Sequence, residues 1–179
     1  MSHRKDTDYL SVSARVRAME NRLLTRDRMD RMIDAADDGE ARKVLAECGY
    51  PEGGSLDQAL AAARADVFRD MESAVPDPRL VEIFQLKYDY HNGKTLLKAA
   101  AMGRDPQPIL LPGGRYDPAQ LTEGWRREEL RGCSPAFQTA VAQAKAVLED
   151  SHDPQQADLI LDRACYAEME PLARDLDSR

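Results

Sequence analysis

No stretch of this sequence is apolar for long enough to cross a bilayer. Runs such as Ile109-Leu110-Leu111 and Ala99 to Met102 fall far short of the roughly 18 residues a spanning helix needs. The opening MSHRKDTDYL also lacks the apolar core of a secretory signal, so a cytoplasmic setting without a direct membrane span is expected. Cysteine is nearly absent. Cys48, Cys133 and Cys165 are the only three in 179 residues, too far apart for a C-x-x-C zinc knuckle and odd in number, which leaves reduced core thiols as the expectation. Phosphate loops are missing too: "LPGGR" lacks the Gly-x-x-x-x-Gly-Lys spacing, and no G-x-G-x-x-G follows a strand, so no nucleotide cofactor is expected. A net charge of −7 excludes a general nucleic-acid binder, which needs a basic surface to neutralise phosphates. Residues from Glu149 onward carry nine acids against three arginines. That excess reads as solvated helix faces or as a surface for a basic partner.

β-Branched residues are scarce, while Ala, Leu, Arg, Glu and Gln dominate, so the expected fold class is all-α. A first helix is expected from about Asp8 to Leu24, with Val12, Val16, Met19 and Leu23 on one buried face. Two short helices should open near Asp27 and Asp38, the second ending at "CGYPEGG". Ser55-Leu-Asp-Gln58 has the form of a capping box and predicts a helix to about Ser73. Four helix starts then share one device, a capping side chain followed by proline at the first helical position: Asp77-Pro78, Asp117-Pro118, Ser134-Pro135 and Asp153-Pro154. Proline's fixed φ and missing N–H suit that place. The Gly/Pro-rich segment between Gly103 and Tyr116 is the expected linker.

An internal echo bears on the organisation. The sixteen residues from Leu56 and the sixteen from Leu161 are identical at six positions, which suggests two copies of one helical unit. The expected division is a first helical repeat over 1–102, a linker over 103–116, and a partial second repeat over 117–179. On that reading the chain stops inside its second repeat. Ile160, Ala164, Leu172 and Leu176 would then face helices not present and leave apolar surface exposed.

The densest concentration of chemistry is "FQLKYDYHNGKTLLKAA", Phe84 to Ala100. At about 100° per residue, Glu82, Gln85, Asp89 and Asn92 form a polar stripe, and Ile83, Leu86, Tyr90, Leu97 and Ala101 an apolar one. Lys87, His91, Lys94 and Lys98 form a cationic stripe, bordered on its other side by Leu80, Phe84 and Tyr88. Such a helix has neighbours on two faces, with lysine stems along apolar surface and ammonium groups reaching water or an acidic partner. Asp89 and His91 lie about 200° apart and cannot chelate one ion. His91 therefore reads as a structural or interface histidine. Asp89 and Asn92 share a face and are expected to bond the ends of adjacent helices, since no base or nucleophile stands near Asp89 for catalysis. Gly93, unfavourable in a helix, suits a close helix crossing. An alternative enzyme reading is a helical HD-type phosphohydrolase built on His152-Asp153 with His91 and Asp175. It needs ligands converging from helix interiors, whereas Asp153 precedes a proline and reads as a cap.

These residues carry a resemblance. "YLSVSARVRAMENRLL" from Tyr9 and the Phe84 segment together resemble the C subunit of V-type (A/V-type) ATP synthases, counterpart of the eukaryotic d subunit. In that family a leading Tyr, an Arg-Val-Arg-x-Met-Glu run and a Lys-Tyr-Asp-Tyr-x-Asn-x-Lys segment mark the first of three helical repeats. Here they correspond to Tyr9, to Arg15, Val16, Arg17, Met19 and Glu20, and to Lys87 through Lys94. "LDRACYAEM" from Leu161 resembles the element opening the second repeat. Gly93 stands where the family usually has a larger residue, and family members are about twice as long. The resemblance implies a pseudo-repeated helical bundle that does no chemistry. It would act as a socket in the central stalk of a rotary ATPase or synthase, receiving the rotor shaft subunits and resting on the membrane proteolipid ring. Arg15, Arg17, Glu20, Lys87, Asp89, Tyr90, His91, Asn92 and Lys94 are the candidate structural or partner-interface residues. No catalytic, cofactor or metal residue is implied. The rival reading is a generic all-helical adaptor.

Overall fold

A computed structural model describes residues 5–52 and 54–177. Among them are eight α-helices and no strand: α1 Leu10–Glu20, preceded by a 3-10 turn Asp6–Tyr9, α2 Arg26–Ile33, α3 Asp38–Glu47, α4 Leu56–Ala74, α5 Arg79–Met102, α6 Pro118–Arg126, α7 Pro135–Ser151 and α8 Pro154–Asp177. The all-α expectation holds. No helix among the described residues is long and apolar enough to cross a membrane. The chain forms two compact units, Met1–Pro76 and Asp77–Arg179.

Most helix starts follow the local chemistry closely; at α5 the expected Asp77 cap with Pro78 at the first helical position is displaced by one residue, Pro78 being the cap position and Asp77 Oδ1 accepting the Arg79 N–H at 3.2 Å from outside the helix. Ser55 Oγ accepts the Gln58 N–H at 3.2 Å while Gln58 Oε1 accepts the Ser55 N–H at 2.8 Å, a complete capping box. Asp117 accepts the N–H groups of Ala119 and Gln120, each at 3.0 Å. Ser134 caps α7 through the Phe137 N–H, and Asp153 caps α8 through the Gln155 N–H at 2.9 Å. The caps of α2 and α3 are Thr25 and Asp37, each one or two residues before the expected aspartates.

In the first unit, α2 packs on α3. Arg31 grips Glu47 across them with two bonds, at 2.9 and 3.1 Å. The expected buried face of α1 is not closed. Val12 is buried, but Val16 and Leu23 are exposed and Met19 is half-buried. Helical periodicity orients side chains toward one side without supplying a neighbour there. The α4 face opposite is held through the Arg15–Asp70 pair.

In the second unit, α5 and α7 both pack on α8. Leu86, Tyr90 and Leu97 of α5, Phe137 and Val141 of α7, and Leu161 of α8 form the centre of the core. Close approach depends on small residues, Ala140, Ala144 and Ala157, which are all essentially buried. At Gly93 an added Cβ would stand 3.1 Å from the Phe137 ring, so the glycine expected at a helix crossing is where α5 meets α7. Ile160, Ala164 and Leu172 pack half-buried against this core, and Leu176 is half-buried as well. They do not form the open apolar face expected from a cut repeat, because α5 and α7 supply the cover. Leu159 and Tyr166 are the large α8 side chains left exposed.

The segment 103–116, expected to link two units, lies within the second one. It is bound to α5 at several points, described next.

Candidate functional site

The polar stripe of α5 is buried rather than solvated. Asp89 and Asn92 have no exposed surface, and Gln85 is 6% exposed. Buried polar groups of this kind require partners. Asn92 Nδ2 donates to the Leu111 carbonyl at 2.8 Å, and the Leu111 N–H donates back to Asn92 Oδ1 at 2.8 Å. One side chain thereby satisfies both main-chain groups of a loop residue. Asp89 Oδ2 accepts Arg115 Nε at 2.7 Å, and its Oδ1 accepts the Tyr116 N–H at 3.3 Å. Arg115 Nη1 then donates to Glu168 of α8 at 2.9 Å, and the Tyr90 hydroxyl donates to the other Glu168 oxygen at 2.8 Å. The chain comes this close to Asp89 only because residue 114 is glycine. A Cβ there would overlap Asp89 Oδ1, far inside contact distance.

Burial is the largest influence on Asp89 and lifts its carboxyl above the ordinary aspartate value, with Arg115 and the Tyr116 amide pulling the other way. Burial pushes Glu168 up as well, but the bonds from Arg115 and Tyr90 win and hold it below the ordinary glutamate value. Burial would also lower Arg115, yet Glu168 and Asp89 raise it, so the guanidinium stays charged. Burial, Glu168's hydrogen bond and its charge all raise Tyr90, which stays protonated. Burial pushes the thiols of Cys133 and Cys165 up to about 11, so neither is a ready nucleophile.

The two carboxyls respond oppositely to acid. Glu168 stabilises the fold fully above its unfolded value, and that contribution is lost as pH falls through its lower folded value. Asp89 contributes below its unfolded value and loses that contribution as pH rises through its raised folded one. Glu168→Gln removes only the first effect. Urea unfolding at neutral pH and at steps below pH 4.5 should therefore show the variant losing less of its own neutral-pH stability than the wild type. Equal slopes would sink the assignment.

The remaining candidates are placed as follows. Lys94 Nζ donates to Asp162 at 2.5 Å and Lys98 Nζ to Asp158 at 2.6 Å. The cationic stripe thus meets the acidic C-terminal helix inside the same unit. Lys87 is exposed, its Nζ 4.9 Å from the Tyr88 ring centroid. His91 Nε2 lies 3.3 Å from the Ile109 carbonyl. In the first unit, Arg15 pairs with Asp70, and Arg17 pairs with Glu20 at 2.9 Å on an exposed helix face, a contact worth little in water. Asp89 and Asn92 bond loop main chain rather than helix ends, with Tyr116 one residue before the α6 cap. His152 is the left-handed residue that ends α7, and Asp153 is the α8 cap. Both are occupied in turning the chain. Among the described residues no three His, Cys, Asp or Glu side chains group to hold a metal ion. Arg115, Glu168 and Gly114 were not singled out from the sequence. The one available signal was an arginine after two glycines in a loop facing a polar helix stripe.

A family model for the ATP synthase (C/AC39) subunit matches residues 12–179. The chain belongs to that family. It is also 22% identical over 175 residues to the C subunit of the V-type sodium ATPase of Enterococcus hirae, an alignment covering 94% of this chain and 53% of the relative. The chain thus spans about half the length of the curated relative it matches. No solved structure matches it. The C/AC39 subunit is an accessory, non-catalytic component of V-type rotary ATPases, and an ion-transport context accords with the relative's name.

Proposed function

We propose that this C/AC39 chain acts in the central stalk of a V-type ATPase or synthase, coupling the rotor shaft subunits to the membrane proteolipid ring during ATP-linked proton or sodium transport. The observation that carries this reading is the family match over residues 12–179. The protein would stay on the cytoplasmic side, peripheral to the membrane through the complex, and perform no hydrolysis itself. The braced second unit suits a part under load, since α5 is tied to α8 by Lys94–Asp162, Lys98–Asp158 and Tyr90–Glu168, and the loop residue Arg115 bridges Asp89 and Glu168. Residues 1–102, 103–116 and 117–179 are proposed as first repeat, connecting segment and part of a second repeat, a division of sequence kinship distinct from the compact units. Among the candidate residues, Arg15, Arg17, Glu20 and Lys87, which are exposed, and His91, which is half-buried, are offered for partner contacts, because Asp89, Tyr90 and Asn92 are buried and Lys94 is held by Asp162.

The test is reconstitution. ATPase complexes stripped of their C/AC39 component should regain ATP-driven ion uptake into vesicles when the protein is added, and the protein should sediment with shaft subunits and ring. Binding to neither, with uptake unrestored, would favour the generic helical adaptor.

A further inference from the structure

The first unit keeps an open cleft where periodicity predicts a closed core. Val16, Met19 and Leu23, on and just after α1, line it together with Leu60, Val67 and Met71 of α4, and its volume is about 1330 Å³. Every lining residue belongs to the first unit. Val16, Leu23, Leu60 and Val67 remain 40%, 60%, 39% and 47% exposed, so this is apolar surface left in contact with water. Both sets of residues follow helical spacing, and each makes an apolar ridge along its helix. The volume exceeds the range of about 300–1,000 Å³ typical of small-molecule pockets. The cleft also follows α4 from Leu60 to Ser73, a rise of about 20 Å. An elongated apolar groove between two helices is the setting in which an amphipathic helix docks.

The rim fixes the charge of the occupant. Three carboxylates line the cleft, Glu20, Asp66 and Asp70. Each already bonds an arginine of the same unit: Arg17, Arg69 and Arg15 respectively. Four arginines line the cleft against these three carboxylates, Arg15, Arg22, Arg64 and Arg69, and Arg22 is exposed with no carboxylate partner among the described residues. The surplus around the groove is cationic on a chain whose net charge is −7. A guanidinium bonded to one carboxylate keeps donors for another.

The geometry points to an amphipathic α-helix of a partner protein as the occupant of this cleft. Its apolar residues, at i, i+3 or i+4 and i+7, seat between α1 and α4. Carboxylates along its flanks meet Arg15, Arg22 and Arg69. The inference stands on the cleft itself and does not depend on the rotor reading.

A displayed library of amphipathic helices about five turns long, with flanking positions drawn equally from Asp, Glu, Lys and Arg, is selected on the full chain. Enriched helices are expected to carry Asp or Glu at the flanks. Leu23→Glu and Val67→Glu, both at exposed positions, should weaken the best binder roughly tenfold or more with unchanged circular dichroism. Arg22→Glu should shift selection toward Lys or Arg at the neighbouring flank. No enrichment, enrichment without charge preference, or binding indifferent to Leu23→Glu and Val67→Glu would overturn the proposal. So would self-association of the chain abolished by Val67→Glu, which would assign the cleft to a second copy.

Discussion

Replacing Arg115 with methionine should cost the second unit about 3–5 kcal/mol, the range for breaking a buried ion pair from one side. Asp89 has no exposed surface and Arg115 is its sole side-chain hydrogen-bond donor among the bonds described, so the variant leaves a carboxylate with only main-chain amides, those of residues 115 and 116. Glu168 keeps Tyr90 and is less enclosed. Its share of the loss is smaller. The protein's one tryptophan, Trp125, packs against this unit's core, which makes its fluorescence in urea the natural readout. Asp89→Asn in the Arg115→Met background should recover part of the loss, because it removes the stranded charge. A loss below about 1 kcal/mol, the scale of exposed pairs, would mean that water reaches the cluster and that it does not hold the loop.

The second large effect lies at the crossing of α5 and α7. Phe137 is 1% exposed, its ring 5.2 Å from that of Tyr90 in an edge-on arrangement and 5.7 Å from that of Tyr116. Phe137→Ala should destabilise by about 3–5 kcal/mol through lost contacts and the cavity left behind. The same change should alter the meaning of Gly93. In the wild type a Cβ at 93 sits 3.1–3.2 Å from the Phe137 ring, tight enough to offset the helix propensity that alanine brings. With the ring gone, Gly93→Ala should stabilise the Phe137→Ala protein by up to about 1 kcal/mol. A double-mutant cycle measures the difference. If Gly93→Ala has the same effect in both backgrounds, the ring is not what requires glycine there.

Helix starts were legible in the sequence because capping is a local matter. Ser55 and Gln58 are three residues apart, and the cap–proline pairs of α6, α7 and α8 declare themselves within two. Gly93 was legible for a similar reason, since a glycine inside a strong helix pattern calls for a close neighbour. The polar stripe could be seen, but its partners could not. Arg115 is 26 residues from Asp89 and lies in a loop without periodicity, while Glu168 is 78 residues from Tyr90. Nothing in a one-dimensional pattern states which distant charge will meet a buried aspartate. The face of α1 failed differently. Its spacing sets Val12, Val16, Met19 and Leu23 along one side, but only Val12 is buried, because spacing carries no information on whether the opposing helix comes near enough to cover the rest.

The hold that α5 has on the loop before α6 also limits how the sequence can vary in length. Asn92 reads both main-chain groups of Leu111, and Asp89 reads Arg115 and the amide of Tyr116. Two helix positions three residues apart therefore measure off a loop segment of fixed span. One residue inserted or deleted between Leu111 and Tyr116 would set either the asparagine or the aspartate against the wrong partner, deep where no water can substitute. Within this loop, insertions and deletions are tolerable in the stretch from Arg104 to Pro108, between the left-handed Gly103 that ends α5 and Ile109, whose carbonyl faces His91, and the remainder of the loop is as constrained in length as a helix.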